Sequence, residues 1–288
     1  MNGSPVTTLE DPMSSMSTAP VTTGTLAVPD GRLYYEVRGQ GPLVALVAAP
    51  MNADAFAPLA DLLAADHTVL TTDPRGIRRS VLRDPHQDST PELRADDVVR
   101  LLAHLDAGPA AVLGSSGGAV TVLALAQARP ARVRTVVAHE PPLLGLLPDR
   151  DDLFAREADM IATYRAGDRL GAGRKFLANA NIHLPEEVVL GMFGGEPDPQ
   201  AAADEHFQYL HMIRGTTGFR PDVAALRDGP TRVVVGLGER STGEVCDRTS
   251  RALAAELGTA PAMFPGGHVG FAEDPPAFAA RLREVLAG

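Results

Sequence analysis

The chain has 288 residues, of which 44% are hydrophobic and 22% charged, so it is long and apolar enough to bury a substantial core. Its formal net charge of −10 comes without a compensating basic block, which argues against nucleic acid or an anionic membrane surface as a partner. The single cysteine, Cys246, allows no internal disulfide, and because neither a membrane-spanning apolar run nor a signal peptide is evident, we expect a cytoplasmic protein.

The first predicted elements are a leader and a β-hairpin. Residues 1–22 are rich in Ser, Thr, Met and Pro and contain no Lys or Arg, a composition that predicts a disordered leader. Residues 23–29 and 32–39 are strand-like, and the dipeptide Asp30-Gly31 between them is typical of a tight hairpin turn. The fold is therefore expected to begin with two hairpin-connected strands.

Strands and helices then alternate along the next hundred residues. Four apolar runs predict strands and the segments between them predict helices. The four strands are LVALVAAP (43–50), HTVLTTD (67–73), AAVLGS (110–115) and VRTVVAHE (133–140). Such alternation implies right-handed crossovers and a parallel sheet.

This alternation breaks at a Pro-Pro pair after the last of these strands and resumes with RVVVGLG. Residues 143–227 contain helical stretches such as DLFAREADMIATYRA but no convincing strand, whereas RVVVGLG and APAMFPG after them predict two more strands. We therefore expect one α/β core made of residues 23–142 and 228–288, interrupted by a helical cap over residues 143–227.

A candidate nucleophile lies where the AAVLGS strand turns into a helix. The sequence GSSGG satisfies G-x-S-x-G only with Ser116 at its centre, because Ser115 would need a glycine in place of Leu113. A serine at such a turn is lifted clear of the sheet edge, and the flanking glycines remove side chains that would clash there. A small-residue turn without chemistry is the alternative interpretation.

A serine nucleophile needs a base within hydrogen-bond reach, and the chain has eight histidines. His268 differs from the others because it follows the last predicted strand, in FPGGHVGF, on a glycine-hinged loop at the carboxyl edge of the sheet. Open parallel sheets bind their ligands at that edge, where Ser116 is also expected. The sequence therefore favours His268 as the base over a surface histidine without a role.

These segments together resemble the α/β-hydrolase superfamily with an inserted helical cap. The matching pieces are GSSGG, FAPLADLLAADHTVLTTD, DPRGIRRS and FPGGHVGFAEDPPAFAARL, and the resemblance covers residues 23–288. It implies an α/β fold with a mostly parallel eight-stranded sheet flanked by helices and a cap inserted after the sixth strand. It also implies Ser116 as the nucleophile and His268 as the base.

The acid is where the sequence departs from this superfamily, which most often has an Asp after the seventh strand in patterns such as G-x-x-D. The corresponding stretch is GERS, which puts Ser241 at the expected acid position. Glu239 and Glu244 lie near that position, and Glu140 ends the sixth strand, a place that some members use for their acid. Because a strand end holds a carboxylate more firmly than a loop does, we predict that Glu140 orients His268. A carboxylate that only stabilises the junction with the cap is the alternative.

The oxyanion hole is a second departure, because Val47-Ala48 stand where the superfamily usually has His-Gly after the third strand. If Pro50 matches the proline of H-G-x-P, the backbone N–H of Ala49 is one donor and that of Gly117 is the other. Backbone donors tolerate a change of side chain, so the oxyanion hole can survive this departure.

The cap is expected to cover the site and to enclose an apolar pocket. The candidate lining residues are Met51, Leu143, Leu144, Phe207, Tyr209 and Met212. Apolar residues at helical spacing are more often internal packing, which is the alternative for each of them. A covered apolar pocket favours a small apolar ester, thioester, lactone or activated carbon–carbon bond over a peptide.

The predicted function is a serine hydrolase with a small, largely apolar substrate. We expect no metal and no cofactor, because no cluster of His, Asp or Glu shows ligand spacing and no G-x-G-x-x-G follows the first strand of the core. The missing Asp at Ser241 and the unusual AAPM segment motivate an alternative. In that alternative the fold is repurposed as a non-hydrolytic cyclase, an isomerase or a ligand-binding protein.

Overall fold

A computed structural model describes residues 20–288 of the chain. Most of the leader expected over residues 1–22 therefore lies outside the described residues. The last two residues of that leader, Val21 and Thr22, belong to the first strand of the sheet. No helix of the described part of the chain is both long and apolar enough to cross a membrane.

A single sheet organises the molecule. Its strands are β1 (Val21–Val28), β2 (Gly31–Arg38), β3 (Leu43–Ala49), β4 (Thr68–Thr72), β5 (Val81–Leu82), β6 (Ala110–Ser116), β7 (Val133–His139), β8 (Arg232–Gly238) and β9 (Ala262–Phe264). The strand order is β1-β2-β4-β3-β6-β7-β8-β9, and the two-residue β5 pairs with β2 outside this path. All neighbours from β4 to β9 along the path are parallel, whereas β2 is antiparallel to its partners. The expected mostly parallel sheet is confirmed, with β5 as an additional strand.

Helices flank this sheet and fill the segment between β7 and β8. They are α1 (Ala57–Leu63), α2 (Pro91–His104), α3 (Gly117–Ala128), α4 (Arg150–Arg165), α5 (Arg169–Ala180), α6 (Glu186–Phe193), α7 (Pro199–Phe207), α8 (Ile213–Thr217), α9 (Val223–Asp228), α10 (Val245–Leu257), α11 (Gly270–Glu273) and α12 (Pro275–Ala287). A π-helical turn, Gln208–Met212, joins α7 to α8.

The buried core lies in two layers, one on each face of the sheet. Along β3, Val44 and Leu46 face the layer that α1 and α12 cover, whereas Ala45 and Val47 face the layer that α2, α3 and α10 cover. Alternate side chains of a strand point to opposite faces, so a strand buried on both faces must be apolar throughout. The same reason explains why α3, which is buried on nearly all sides, is apolar all round.

The segment between β7 and β8, residues 140–231, contains helices α4 to α9, and we call residues 144–228 the cap. β7 is the sixth strand of the eight on the main path, which is where the sequence predicts the insertion. Arg94 of α2 joins the cap to the core, because its guanidinium donates to Thr121 of α3 at 2.8 Å and to Thr216 of α8 at 3.0 Å. Burial lowers the pKa of Arg94 to about 9.

Candidate active site

Ser116 lies at the sharp turn between β6 and α3. It is the last residue of the strand, and its backbone adopts φ 55° and ψ −122°. A positive φ is uncommon for a residue other than glycine and costs conformational energy, and such strained positions cluster at functional sites. The turn brings Ser116 to the wall of a cavity between the core and the cap. This is the geometry that the G-x-S-x-G pattern predicts.

The glycines around this serine are required by the close approach of α3 to the sheet. A Cβ atom on Gly118 would lie 2.1 Å from the carbonyl oxygen of Val47 in β3, and one on Gly114 would lie 2.3 Å from the carbonyl oxygen of Gly118. Both contacts are with backbone atoms, which cannot move aside as a flexible side chain can. Residues without a side chain are therefore needed for the helix to start where it does.

Glu140 and His268 are in direct contact. Glu140 follows β7 directly and is fully buried, and its Oε2 lies 2.6 Å from Nδ1 of His268. Its other oxygen, Oε1, accepts the backbone N–H of Gly238 at 2.8 Å. An ionised carboxylate only accepts hydrogen bonds, so Nδ1 of His268 must carry the proton. When the ring is neutral, its other nitrogen, Nε2, is the acceptor that a general base requires.

The electrostatics of this pair favour its charged forms. Burial opposes ionisation of Glu140, but the hydrogen bond from His268 and the nearby imidazole of His139 outweigh it and hold the pKa of Glu140 at about 2. Burial likewise opposes protonation of His268, whereas Cys246 and Glu140 favour it and raise the pKa of His268 well above its usual value. Glu140 therefore stays ionised at neutral pH.

The other acid candidates do not bond to His268. Glu239 is exposed, and Glu244 is half-buried in the cavity wall, where burial and the neighbouring carboxylate of Glu140 raise its pKa. Ser241, at the position where an Asp was expected, is fully buried. Of the three carboxylates considered, Glu140 is the one that the fold brings against the imidazole.

Cys246 is a neighbour of this pair that sequence reasoning missed. It is the second residue of α10 and lines the same cavity. Donor atoms of Glu140, Cys246 and His268 all lie within 4.8 Å of one another, and in the described part of the chain this is the cluster whose residue types could hold a metal ion. The three residues come from distant parts of the chain, so no local spacing in the sequence indicates the cluster.

The proposed oxyanion donors also reach the cavity. Ala49 ends β3 and pairs in register with Ser116, and Gly117 is the first residue of α3. The first amides of a helix have no partner within that helix, so they are free to bind an oxyanion. Both Ala49 and Gly117 line the cavity beside Ser116.

The DPRGIRRS segment supports the loop that follows Ala49. Its first residue, Asp73, is fully buried and accepts the backbone N–H of Ala53 at 2.9 Å. The guanidinium of Arg79 donates to the same carboxylate at 2.7 and 2.8 Å. Because Ala53 lies a few residues after Ala49, this carboxylate fixes the course of the backbone next to the proposed oxyanion hole.

Ser115, the neighbour of the candidate nucleophile, points into the core. It is fully buried, and its hydroxyl oxygen lies 3.5 Å from Nδ1 of His139. The imidazole of His139 packs edge-on against Phe264 and Phe278, and burial lowers its pKa to about 4. His139 is therefore an uncharged core residue at neutral pH, and neither it nor Ser115 lines the cavity.

The cavity has a volume of about 170 Å³ and is walled by both the core and the cap. Its core side is Ala49, Pro50, Ser116, Gly117 and His268. Its cap side is mainly apolar and includes Leu144, Leu153, Met160, Phe176, Met212 and Ile213. A cavity of this size with mainly apolar walls suits a small, largely apolar molecule.

Of the six residues expected to line this cavity, Leu144 and Met212 do so. The expectation is corrected for Met51 and Leu143, which lie outside the lining. Met51 packs against the core layer under α1 and α12, and Leu143 is buried in the layer around α3. Both side chains therefore turn from the cavity into the core on which the cap rests.

The expectation is also corrected for Phe207 and Tyr209. Phe207 packs over Gly76 and Ile77, on the loop that follows β4. Tyr209 stacks on Tyr164 of α4, with ring centroids 4.2 Å apart, inside the cap itself. Their helical spacing reflects packing of the cap on the core and within itself, which was the alternative interpretation.

The chain is similar to known hydrolases over most of its length. The family model described as alpha/beta hydrolase family matches residues 43–281. The chain is 32% identical over 279 residues to "Uncharacterized hydrolase YraK" of Bacillus subtilis (strain 168), covering 92% of this chain and 96% of that protein. It is 29% identical over 280 residues to a zearalenone hydrolase of Bionectria ochroleuca, covering 92% and 97% respectively. Among solved structures, a thermophilic esterase from Thermogutta terrifontis superposes with a TM-score of 0.68 at 20% identity, covering 93% of this chain and 98% of that one.

Proposed function

The chain belongs to the alpha/beta hydrolase family, and on that premise we propose that it is a serine hydrolase that cleaves a small, largely apolar ester, thioester or lactone. One observation carries the proposal. The buried carboxylate of Glu140 holds His268 at 2.6 Å beside a cavity that Ser116 also lines. The relative named zearalenone hydrolase, which matches nearly the whole chain, supports a hydrolytic reaction on a small molecule.

In the proposed first step, Nε2 of His268 takes the hydroxyl proton of Ser116 while the serine oxygen attacks the substrate carbonyl carbon. The carbonyl electron pair moves onto its oxygen, where the N–H groups of Ala49 and Gly117 stabilise the negative charge. His268 then returns the proton to the leaving alcohol, thiol or ring oxygen as the carbonyl–heteroatom bond breaks. An acyl-enzyme on Ser116 results.

The second step repeats this chemistry with water. Nε2 of His268 accepts a proton from the water as its oxygen attacks the acyl carbon. The tetrahedral intermediate collapses, Ser116 leaves with the proton from His268, and the free acid departs. Glu140 remains ionised throughout and acts by holding the imidazole in one tautomer and stabilising its protonated form.

Covalent labelling tests the role of Ser116. We expect a fluorophosphonate to label Ser116 at its hydroxyl, and we expect Ser116→Ala to abolish both the labelling and the hydrolysis of p-nitrophenyl butyrate. Ser115→Ala is the matched control, because that hydroxyl faces His139 in the core and stays outside the cavity. Equal losses in the two variants would show that the wrong serine has been assigned. A wild-type protein that neither reacts with the probe nor hydrolyses activated esters would refute the serine hydrolase.

A further inference from the structure

Glu157 brings a carboxylate into the apolar cap side of the cavity. It lies on α4 between Leu153 and Met160, four residues after the first and three before the second, so the three share one face of the helix. All three line the cavity, and Glu157 is only 5% exposed. An apolar residue at position 157 would extend the apolar face of α4 without the free-energy cost of burying a charge. The presence of a carboxylate there therefore needs an explanation.

Within the protein, one of the two oxygens of this carboxylate accepts a hydrogen bond. The hydroxyl of Thr217 in α8 donates to Oε2 of Glu157 at 2.6 Å. Within residues 20–288, Oε1 makes no hydrogen bond and Glu157 forms no ion pair within 4 Å. Burial raises the pKa of Glu157, and the bond from Thr217 and the charge of Arg214 only partly oppose this rise. Because Glu157 lines the cavity, this unused oxygen is available to a hydrogen-bond donor on a bound ligand.

We propose that Oε1 of Glu157 accepts a hydrogen bond from a neutral hydroxyl group of the substrate. The preferred substrates are then apolar acyl compounds that carry an alcohol or phenol apart from the carbonyl that Ser116 attacks, and this proposal rests on the function proposed above. A neutral donor fits better than an ammonium group, because Arg214 already places positive charge near Glu157 and the walls formed by Leu153 and Met160 cannot solvate a cation.

A matched pair of esters tests this subsite in the active enzyme. The p-nitrophenyl esters of 3-phenylpropanoic acid and 3-(4-hydroxyphenyl)propanoic acid differ by one phenolic hydroxyl. A hydrogen bond to a carboxylate makes the hydroxylated ester the better substrate by about tenfold or more in kcat/KM. We expect this preference to vanish in Glu157→Leu, to shrink in the nearly isosteric Glu157→Gln, and to persist in Glu187→Gln. Glu187 is an exposed cap residue and serves as the matched control.

A binding measurement separates this proposal from the proposed reaction. The neutral ketones 4-phenylbutan-2-one and 4-(4-hydroxyphenyl)butan-2-one form a second matched pair, and calorimetric titration into Ser116→Ala needs no turnover. We expect the hydroxylated ketone to bind about tenfold tighter or more to Ser116→Ala. The two ketones should bind equally to the double variant Ser116→Ala/Glu157→Leu, whose fold is checked by circular dichroism.

The outcomes distinguish the two proposals. If the wild-type protein binds the hydroxylated ketone more tightly but hydrolyses no ester, the proposed reaction is refuted and the proposed Glu157 subsite is supported. Ester hydrolysis with no preference for the hydroxyl in either assay, or no binding of either ketone, would overturn the subsite and leave the reaction standing. A phenylbutanone carrying an aminomethyl group in place of the hydroxyl should bind more weakly than the phenol. Tighter binding of that amine would overturn the assignment of a neutral donor.

Discussion

Replacing Glu140 with Gln should disable His268 through its tautomer. Oε1 of Glu140 accepts the backbone N–H of Gly238 at 2.8 Å, and a Gln side chain has one oxygen to keep that bond. Its NH₂ group then occupies the place of Oε2, 2.6 Å from Nδ1 of His268. Because NH₂ only donates, Nδ1 must become the acceptor and the proton must move to Nε2. Nε2, which takes the proton of Ser116 in the proposed mechanism, is then already protonated and can no longer act as the base.

The expected loss is large and falls on the chemical step. An Asp-to-Asn change with the same effect on a catalytic histidine lowers kcat about 10⁴-fold, which corresponds to about 5 kcal/mol at about 1.36 kcal/mol per tenfold. KM should change far less, because Glu140 is fully buried and is absent from the cavity lining. Glu140→Gln should therefore turn over p-nitrophenyl butyrate at about a ten-thousandth of the wild-type kcat.

The pH profile identifies the cause of this loss. In the wild type the raised pKa of His268 means that kcat/KM falls as the pH drops through that pKa, because protonated imidazole cannot act as a base. Glu140→Gln removes a negative charge that favours the protonated ring, so the acidic limb of its residual activity should move to lower pH. A loss caused by misfolding alone would leave the midpoint of that limb unchanged.

Two carboxylates serve as controls for this prediction. Glu239→Gln and Glu244→Gln should both retain most activity, because neither side chain bonds to His268. Ser241→Asp in the Glu140→Gln background should restore part of kcat if an acid at the usual position of the superfamily can reach the ring. An active Glu140→Gln enzyme beside an inactive Glu239 or Glu244 variant would refute the assignment of the acid.

Two further predictions concern the neighbours of this site. Gly118→Ala should lower the free energy of unfolding by about 1–3 kcal/mol and reduce kcat, because its Cβ would lie 2.1 Å from the carbonyl oxygen of Val47. Gly145→Ala is the control, because a Cβ atom at that position meets no atom within 4 Å. Equal melting temperatures for the two variants would contradict the steric argument. Iodoacetamide should inactivate the enzyme by alkylating Cys246 beside His268, and faster as the pH rises because burial raises the pKa of that thiol. Cys246→Ala should stay active and resist the reagent, and an inactive Cys246→Ala would instead indicate a catalytic part for the thiol.

The sheet and the principal contact of the site could be predicted because both follow from rules that act along the backbone. Apolar runs separated by helices imply a parallel sheet, and the carboxyl ends of such strands meet at one edge. Ser116 ends β6, Glu140 follows β7 directly and His268 follows β9, so their positions in the chain already place them at that edge. The two-residue β5 was missed, because so short a run carries no periodic pattern.

The wall of the cavity could not be predicted in the same way. Whether a cap residue faces the cavity depends on the rotation and docking of each cap helix, which helical spacing alone leaves open. Tyr209 and Phe207 satisfy the apolar pattern yet pack elsewhere, whereas Glu157 breaks the pattern and lines the cavity. Cys246 lies close to His268 because of the way α10 docks on the core, and no local sequence pattern predicts that docking.

The position of Glu140, the proposed acid after β7, depends on two residues of the neighbouring strand and loop. β8 lies between β7 and β9 in the sheet, so a carboxylate that follows β7 starts one strand farther from the loop of His268 than a carboxylate that follows β8. To reach that ring from β7, the Glu140 side chain crosses the end of β8, where a Cβ atom on Gly238 would lie only 2.8 Å from its Oε1. The fully buried Ser241 leaves this space free of a second carboxylate, whose charge would repel Glu140. Gly238 and Ser241 therefore both leave room for the Glu140 carboxylate at the end of β8.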